Sequence, residues 1–254
     1  MQALEGQFAV VTGGGTGVGA AIALALASAK ASTCLVGRRL TPLEAVATSA
    51  RAQGAQAACY QADLASESSQ FDLVQRLMRD LPYLDILVQN AAVHVSGRID
   101  CAGLEDFDRQ YRTNVRAPFA LTKALLPMLK ARRGQVVFIN SSSGISAKPM
   151  TAQYDATKHA LRAIADSLRG EVNKYGVRVL SVYIGQTASE MQSKICKNES
   201  RPYLPERLLQ PKDIAAVVLN SLTLPRTAEV TDIHIRPMIN AEARRVGWKR
   251  SLHD

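Results

Sequence analysis

The chain predicts an α/β fold: one doubly wound parallel β-sheet of about seven strands with helices on both faces. Three observations predict it. Short continuous apolar runs alternate with helix-length stretches from end to end, the pattern of a parallel sheet covered on both sides. A glycine-rich turn, Thr12-Gly13-Gly14-Gly15-Thr16-Gly17-Val18-Gly19, ends the first apolar run and opens the first helical one. No Pro/Gly/Ser-rich linker, charge block or solenoid-type repeat divides the 254 residues, so a single domain over 1–254 is the economical reading.

The elements follow in order. Phe8–Thr12 reads as a buried strand and Gly17–Lys30, rich in Ala and Leu, as the first helix. Thr33–Val36 is a second strand and Leu40–Gln53 a second helix. Ala57–Gln61 is a third strand, followed by a helix over Ser66–Arg79 with Ser66 as its N-cap. Asp85–Val88 is a fourth strand. A long helical region runs from about Leu104 to Lys130, interrupted near Pro118, where proline breaks the backbone ladder. Gln135–Ile139 is a fifth strand, Thr151–Tyr175 a long helix, and Val177–Tyr183 a sixth strand. Pro211–Leu222 is a helix and Val230–Ile235 a last strand. The stretch 189–209 is polar and mixed, and reads as an irregular substrate-binding loop or lid, since long loops in compact domains are commonly functional.

Composition narrows the function classes. Apolar residues make up 47% and charged residues 21% of the chain, close to the average of globular proteins and unlike disordered, collagenous or coiled-coil chains. The longest weakly polar run, 18–29, is shorter than the ~20 residues that cross a bilayer. No leader, no membrane anchor and a cytoplasmic location are expected. Cys34, Cys59, Cys101 and Cys196 lie far apart without a Cys-x-x-Cys pair, which points to reduced thiols. His94, His159, His234 and His253 are scattered, so no metal is expected. The net charge is +9, but the cations are dispersed and the densest cluster is the 239–254 tail with Arg244, Arg245, Lys249 and Arg250. With 5% aromatics and no reading motif, nucleic acid is not expected as a partner.

The glycine turn carries the first chemistry. Glycines between a strand and a helix let the backbone approach a pyrophosphate, and the helix N-terminus offers free N–H groups and a positive dipole end. The spacing here is Thr-Gly-x-x-x-Gly-x-Gly. A Rossmann-type dinucleotide site results, formed by Gly13, Gly15, Thr16, Gly17, Val18 and Gly19. The second strand ends Leu35-Val36-Gly37-Arg38-Arg39, with no carboxylate at its tip. A carboxylate there would hold ribose hydroxyls and repel a 2′-phosphate, whereas Arg38 and Arg39 can grip one with paired donors.

Tyr154 and Lys158 stand four residues apart in a helical stretch, which places them on one face. A nearby ammonium stabilises a phenolate, so the pair can exchange a proton with a carbonyl or alcohol oxygen. Ser141, after the fifth strand, precedes Tyr154 by 13 residues and can donate to the same oxygen.

Together the glycine turn, Asn114, Ser141, Tyr154 and Lys158 resemble the short-chain dehydrogenase/reductase family in its compact single-domain form, over about residues 6–192. The resemblance, 3-oxoacyl-reductase-like, implies an NADP(H)-dependent enzyme that moves a hydride between nicotinamide and a ketone or secondary alcohol. It implies Tyr154 as general acid/base, Ser141 and Lys158 beside it, and Asn114 holding a water that relays protons to the lysine. It implies that Asp63 and Leu64 receive the adenine, that Asn90, Ala91 and Ala92 line the cofactor, that Thr187 lies at its carboxamide, and that Ser143 and Gln186 face the substrate. Residues around Val93–Gly97, Ser143–Met150 and Gln186–Leu209 would shape the pocket. A homo-oligomer, dimer or tetramer, through the faces of the two long helices is implied as well. The sequence departs from the family at Ile184-Gly185, where Pro-Gly is usual, at Ala92, where glycine is usual, and at Ser189 for threonine. The alternative function is a non-catalytic NADP-binding sensor or scaffold on the same fold, and the intact Ser-Tyr-Lys set argues against it.

Overall fold

The computed structural model describes residues 3–238. Seven strands form one sheet, all paired in parallel, in the order β3-β2-β1-β4-β5-β6-β7. They are β1 Phe8–Thr12, β2 Ser32–Gly37, β3 Ala57–Gln61, β4 Ile86–Gln89, β5 Gln135–Ser141, β6 Arg178–Ile184 and β7 Asp232–Ile235. The helices are α1 Gly17–Ser28, α2 Leu40–Ala52, α3 Glu67–Asp80, α4 Leu104–Tyr111, α5 Ala117–Ala131, α6 Ala152–Val172, α7 Glu190–Asn198 and α8 Pro211–Leu222. Ser66 caps α3 as its sequence position suggests, its hydroxyl accepting from the Ser69 N–H.

Side-chain alternation along the strands divides the core. Ala9 and Val11 of β1 face one way and pack with Ile22, Leu26, Leu43, Ile214 and Val218 of α1, α2 and α8. Val10 faces the other way and packs with Leu73, Leu77, Leu121, Leu125 and Leu161 of α3, α5 and α6. Removing a side chain such as Leu26 or Leu121, both essentially inaccessible to solvent, would cost about 2–5 kcal/mol. Strand order reverses between β1 and β4, which opens a crevice at their C-terminal ends, where ligands of such sheets bind.

One local expectation gains detail and one needs correction. The long helix over 104–130 is interrupted near Pro118, in a π-helical turn over Arg112–Arg116. Pro118 itself sits in the first turn of α5. Its ring clashes with the carbonyl four residues back and it donates no hydrogen bond, so the ladder widens upstream of it. The segment 189–209 is not irregular throughout. It holds α7, capped by Ser189 accepting from the Gln192 N–H, and a 3-10 turn over Pro205–Arg207. The low hydrophobicity of α7 hid it, because only Gln192 and Cys196 are buried. The 239–254 tail lies outside the described residues.

Candidate active site

The crevice is a cleft of about 1100 Å³ that runs from the glycine turn and the tip of β2, past the end of β4, to the start of α6. At one end the turn is locked in place. Gly14 N–H donates to Val36 O, and the Asn90 amide donates to Thr12 O and Gly13 O. The Thr12 hydroxyl accepts from Asn90 N and Ala91 N. Gly13 has φ +65° and its missing Cβ would lie 2.8 Å from Asn90 Nδ2. Gly19 lies behind the cleft wall: a Cβ there would stand 2.2 Å from Gly13 O, so this glycine seats α1 against the turn.

The remaining residues assigned to the dinucleotide line the cleft: Gly13, Gly15, Thr16, Gly17, Val18, Arg38, Arg39, Asp63, Leu64, Asn90, Ala91, Ala92, Tyr154, Lys158 and Thr187. They fit a phosphorylated dinucleotide on three grounds. The Thr16 side chain does not cap α1, and no acidic residue stands in its first turn, so its N–H groups stay available to an anion. A Cβ at Gly13 would meet Asn90 and Ala91 and one at Gly15 would meet Leu43 and Pro42, so glycine lets the turn keep this close course at the mouth of the cleft. Arg38 is exposed at the β2 tip and has no carboxylate partner among the described residues. Arg39, beside it, pairs with Glu190 at 3.2 Å. Asp63 is partly engaged in its own turn, its Oδ1 accepting from Ala65 N–H, and Leu64 is mostly buried in the core.

At the other end, β5 carries Ser141 to the cleft and α6 carries Tyr154 and Lys158. The Ser141 hydroxyl accepts from the Ser143 N–H, and the Ser141 N–H donates to the Asn140 side chain. Asn140 in turn donates to the Lys158 carbonyl, tying β5 to α6. The Lys158 ammonium donates to Ile139 O at 3.1 Å and lies 5.7 Å from the Tyr154 ring centre. Burial pushes the Tyr154 phenol up to about 12, partly offset by its hydrogen bond with Ser141. Burial also draws Lys158 down to about 8. Desolvation thus leads and keeps the phenol protonated in the protein alone, with Ser141 as the group that lowers it.

Asn114 lies behind the cleft wall, 1% exposed in the π turn. Its Oδ1 accepts from Val93 N–H, and its Nδ2 donates to Val93 O and the Thr157 hydroxyl. Its amide therefore anchors the exit of β4 to α6. Ser143 and Gln186 line the cleft as well. Ile184 extends β6 by one residue where proline would end it, pairing with Ser141 on one side and Ile235 on the other. Thr187 is buried, its hydroxyl donating to Gly185 O.

Two further side chains stand at this end: His94, within the 93–97 stretch that the sequence places at the pocket, and Arg109, which the sequence did not single out. His94 sets its ring against that of Tyr154, 4.6 Å between centres, and burial lowers its basicity. Arg109 of α4 also reaches the cleft. Arg109 has no local sequence signal; it is brought there by the packing of α4 on α6. Among the described residues, no group of three or more His, Cys, Asp or Glu side chains is placed to hold a metal ion.

Residues 7–200 match the family model for short chain dehydrogenase. The chain is 30% identical to an uncharacterised oxidoreductase of Staphylococcus epidermidis over 239 residues, 94% of this chain and 100% of that protein. An alcohol dehydrogenase from the archaeon Thermococcus sibiricus, solved with 5-hydroxy-NADP, superposes with a TM-score of 0.84 at 25% identity, over 92% of this chain and 97% of that one. A metagenomic short-chain oxidoreductase in complex with NADP gives a TM-score of 0.80 at 27% identity, over 94% and 100%. A 3-oxoacyl (acyl-carrier-protein) reductase from Agrobacterium tumefaciens with NADP bound gives 0.83 at 25%, over 92% and 94%. With the glycine turn, the serine, the tyrosine and the lysine gathered on one cleft, the chain belongs to the short-chain dehydrogenase family of oxidoreductases.

Proposed function

We propose that the protein is an NADP(H)-dependent carbonyl reductase, or the corresponding alcohol dehydrogenase in reverse, acting on a ketone or secondary alcohol. The observation that carries this reading is the convergence of Ser141, Tyr154 and Lys158 on the cleft whose far end is the open glycine cradle. NADP(H) bound there supplies or accepts the hydride. Arg38 holds the 2′-phosphate, with Arg39 beside it, and the N–H groups at the start of α1 hold the pyrophosphate. The 3-oxoacyl reductase likeness makes a 3-oxoacyl thioester one candidate substrate.

The chain's own groups handle the proton. Tyr154, with its phenol held near 12, is protonated at neutral pH and is ready to give a proton to a ketone oxygen. The Ser141 hydroxyl donates to the same oxygen and polarises the carbonyl. The Lys158 ammonium faces the phenolate left behind and stabilises it. Val93, Met150 and Ile195 give the cleft apolar wall beside these groups. The segment 189–209 acts as the lid.

A homo-oligomer and a cytoplasmic location complete the reading. Exposed Leu104, Tyr111 and Phe119 on α4 and α5 support the first. For the second, no helix among the described residues is long and apolar enough to cross a membrane.

The test is oxidation of NADPH against a panel of ketones, diketones, 3-oxoesters and 3-oxoacyl thioesters, with NADH in parallel and Tyr154→Phe as the control. Turnover with NADPH is expected, with a loss of about 10²–10⁴-fold in the variant and dinucleotide binding retained. Tight NADPH binding without turnover across the panel would favour the sensor or scaffold instead.

A further inference from the structure

The lip of the cleft carries a contact between two elements distant in sequence. Arg39, at the tip of β2, places Nη2 3.2 Å from Oε2 of Glu190, the first residue of α7. Both residues line the cleft. The preceding Ser189 Cβ lies 3.6 Å from where a Cβ of Gly17 would be, so the start of α7 rests over the glycine turn. Glu190 is the acid in the first turn of α7, where the helix dipole holds its negative charge in place with or without Arg39. The Arg39 side chain is thus already engaged by an anion, while Arg38 beside it is not.

We propose that Glu190 is a specificity-determining residue that opposes the phosphorylated dinucleotide. Its carboxylate engages one guanidinium nitrogen that a 2′-phosphate would take, and its charge faces the incoming dianion. NADPH must displace Glu190 from Arg39, whereas NADH, with hydroxyls at that position, need not. Arg38 supplies the preference for phosphate and Glu190 limits it. This inference rests on the NADP(H) reading above.

Because the pair is exposed, 64% and 58% at the two side chains, the contrast is modest. Exposed pairs contribute at most about 1 kcal/mol, which is about a fivefold change in affinity. It also shrinks as salt rises.

The experiment is isothermal titration of NADPH and NADH into the wild-type protein, Glu190→Gln and Arg39→Gln, at low and raised salt, with thermal melts to confirm folding. Glu190→Gln is expected to tighten NADPH by about two- to fivefold while NADH changes by less, with the gain falling at raised salt. Arg39→Gln is expected to weaken NADPH and leave NADH nearly unchanged. The inference is overturned if Glu190→Gln leaves NADPH affinity unchanged, weakens it, or shifts both dinucleotides equally. Wild-type protein that binds NADPH more tightly than NADH while Glu190→Gln changes nothing would sink this inference alone. Wild-type protein that prefers NADH would sink the cofactor reading and this inference with it.

Discussion

Burial sets the protonation of the two groups on which the chemistry turns. Lys158, ordinarily near 10.5, is drawn down to about 8 because its ammonium is desolvated against one carbonyl and a ring. The sign of the linkage follows. The folded value lies below the unfolded one, so the folded protein carries the full burial penalty below pH about 8 and regains stability as pH rises toward 10.5. At neutral pH that penalty is about 3 kcal/mol. Lys158→Met is therefore expected to melt at the same temperature or a few degrees higher while losing turnover, a separation that paired melts and assays would check. A variant that melts lower would show that the buried ammonium carries no such penalty. In the wild type, the reduction rate is expected to hold at neutral pH and fall as pH passes about 8, where the ammonium facing Tyr154 loses its charge. A pH–rate profile for the forward reduction would show it.

At the scale of elements, the helix boundaries decide what reaches the cleft. The π turn over Arg112–Arg116 rotates Asn114 inward, where its amide satisfies both the N–H and the C=O of Val93. Asn114→Ala would leave these groups and the Thr157 hydroxyl short of partners, at a cost of about 2–4 kcal/mol in urea unfolding. It is expected to lower turnover more than dinucleotide affinity, since Val93 borders the substrate end. Glycines on two helices make a second contrast. Gly19 on α1 has no room for a Cβ, with a backbone oxygen at 2.2 Å, so Gly19→Ala is expected to abolish dinucleotide binding or folding. Gly170 on α6 is exposed with nothing within 4 Å, so Gly170→Ala is expected to stabilise by about 0.5–1 kcal/mol. Thermal melts of the two variants moving the same way would contradict the packing described.

For the whole molecule, the sheet provides one rigid platform and two helical layers, and the cleft forms where strand order reverses. The outer surfaces of α4 and α5 are less complete, with Leu104 79% exposed and Phe119 55% exposed. Apolar exposure on adjoining helices suits a partner surface. Sedimentation at micromolar protein is expected to give a dimer or tetramer, and Phe119→Glu is expected to shift it toward monomer with the fold retained in circular dichroism and a melt lowered only by the lost association. Wild-type protein that sediments only as monomer would remove the oligomer from this reading.

What the sequence determined by itself was everything that depends on local periodicity or close spacing. The seven apolar runs, the glycine turn between β1 and α1, the Ser66 cap and the four-residue step from Tyr154 to Lys158 are all such features. So is the arginine pair at the β2 tip, because a strand ends where its apolar run ends. What only the tertiary structure decided depends on elements far apart in the chain. The π turn forms one turn before the proline that provokes it, and α7 exposes too much of itself to show an apolar face. Asn114 meets Val93 across 21 residues and Thr157 across 43, and Arg39 meets Glu190 across 151. The protonation of Tyr154 and Lys158 belongs to the same class. Desolvation is set by the surrounding packing, and in the protein alone it leads the shift of both groups, raising the phenol and lowering the ammonium.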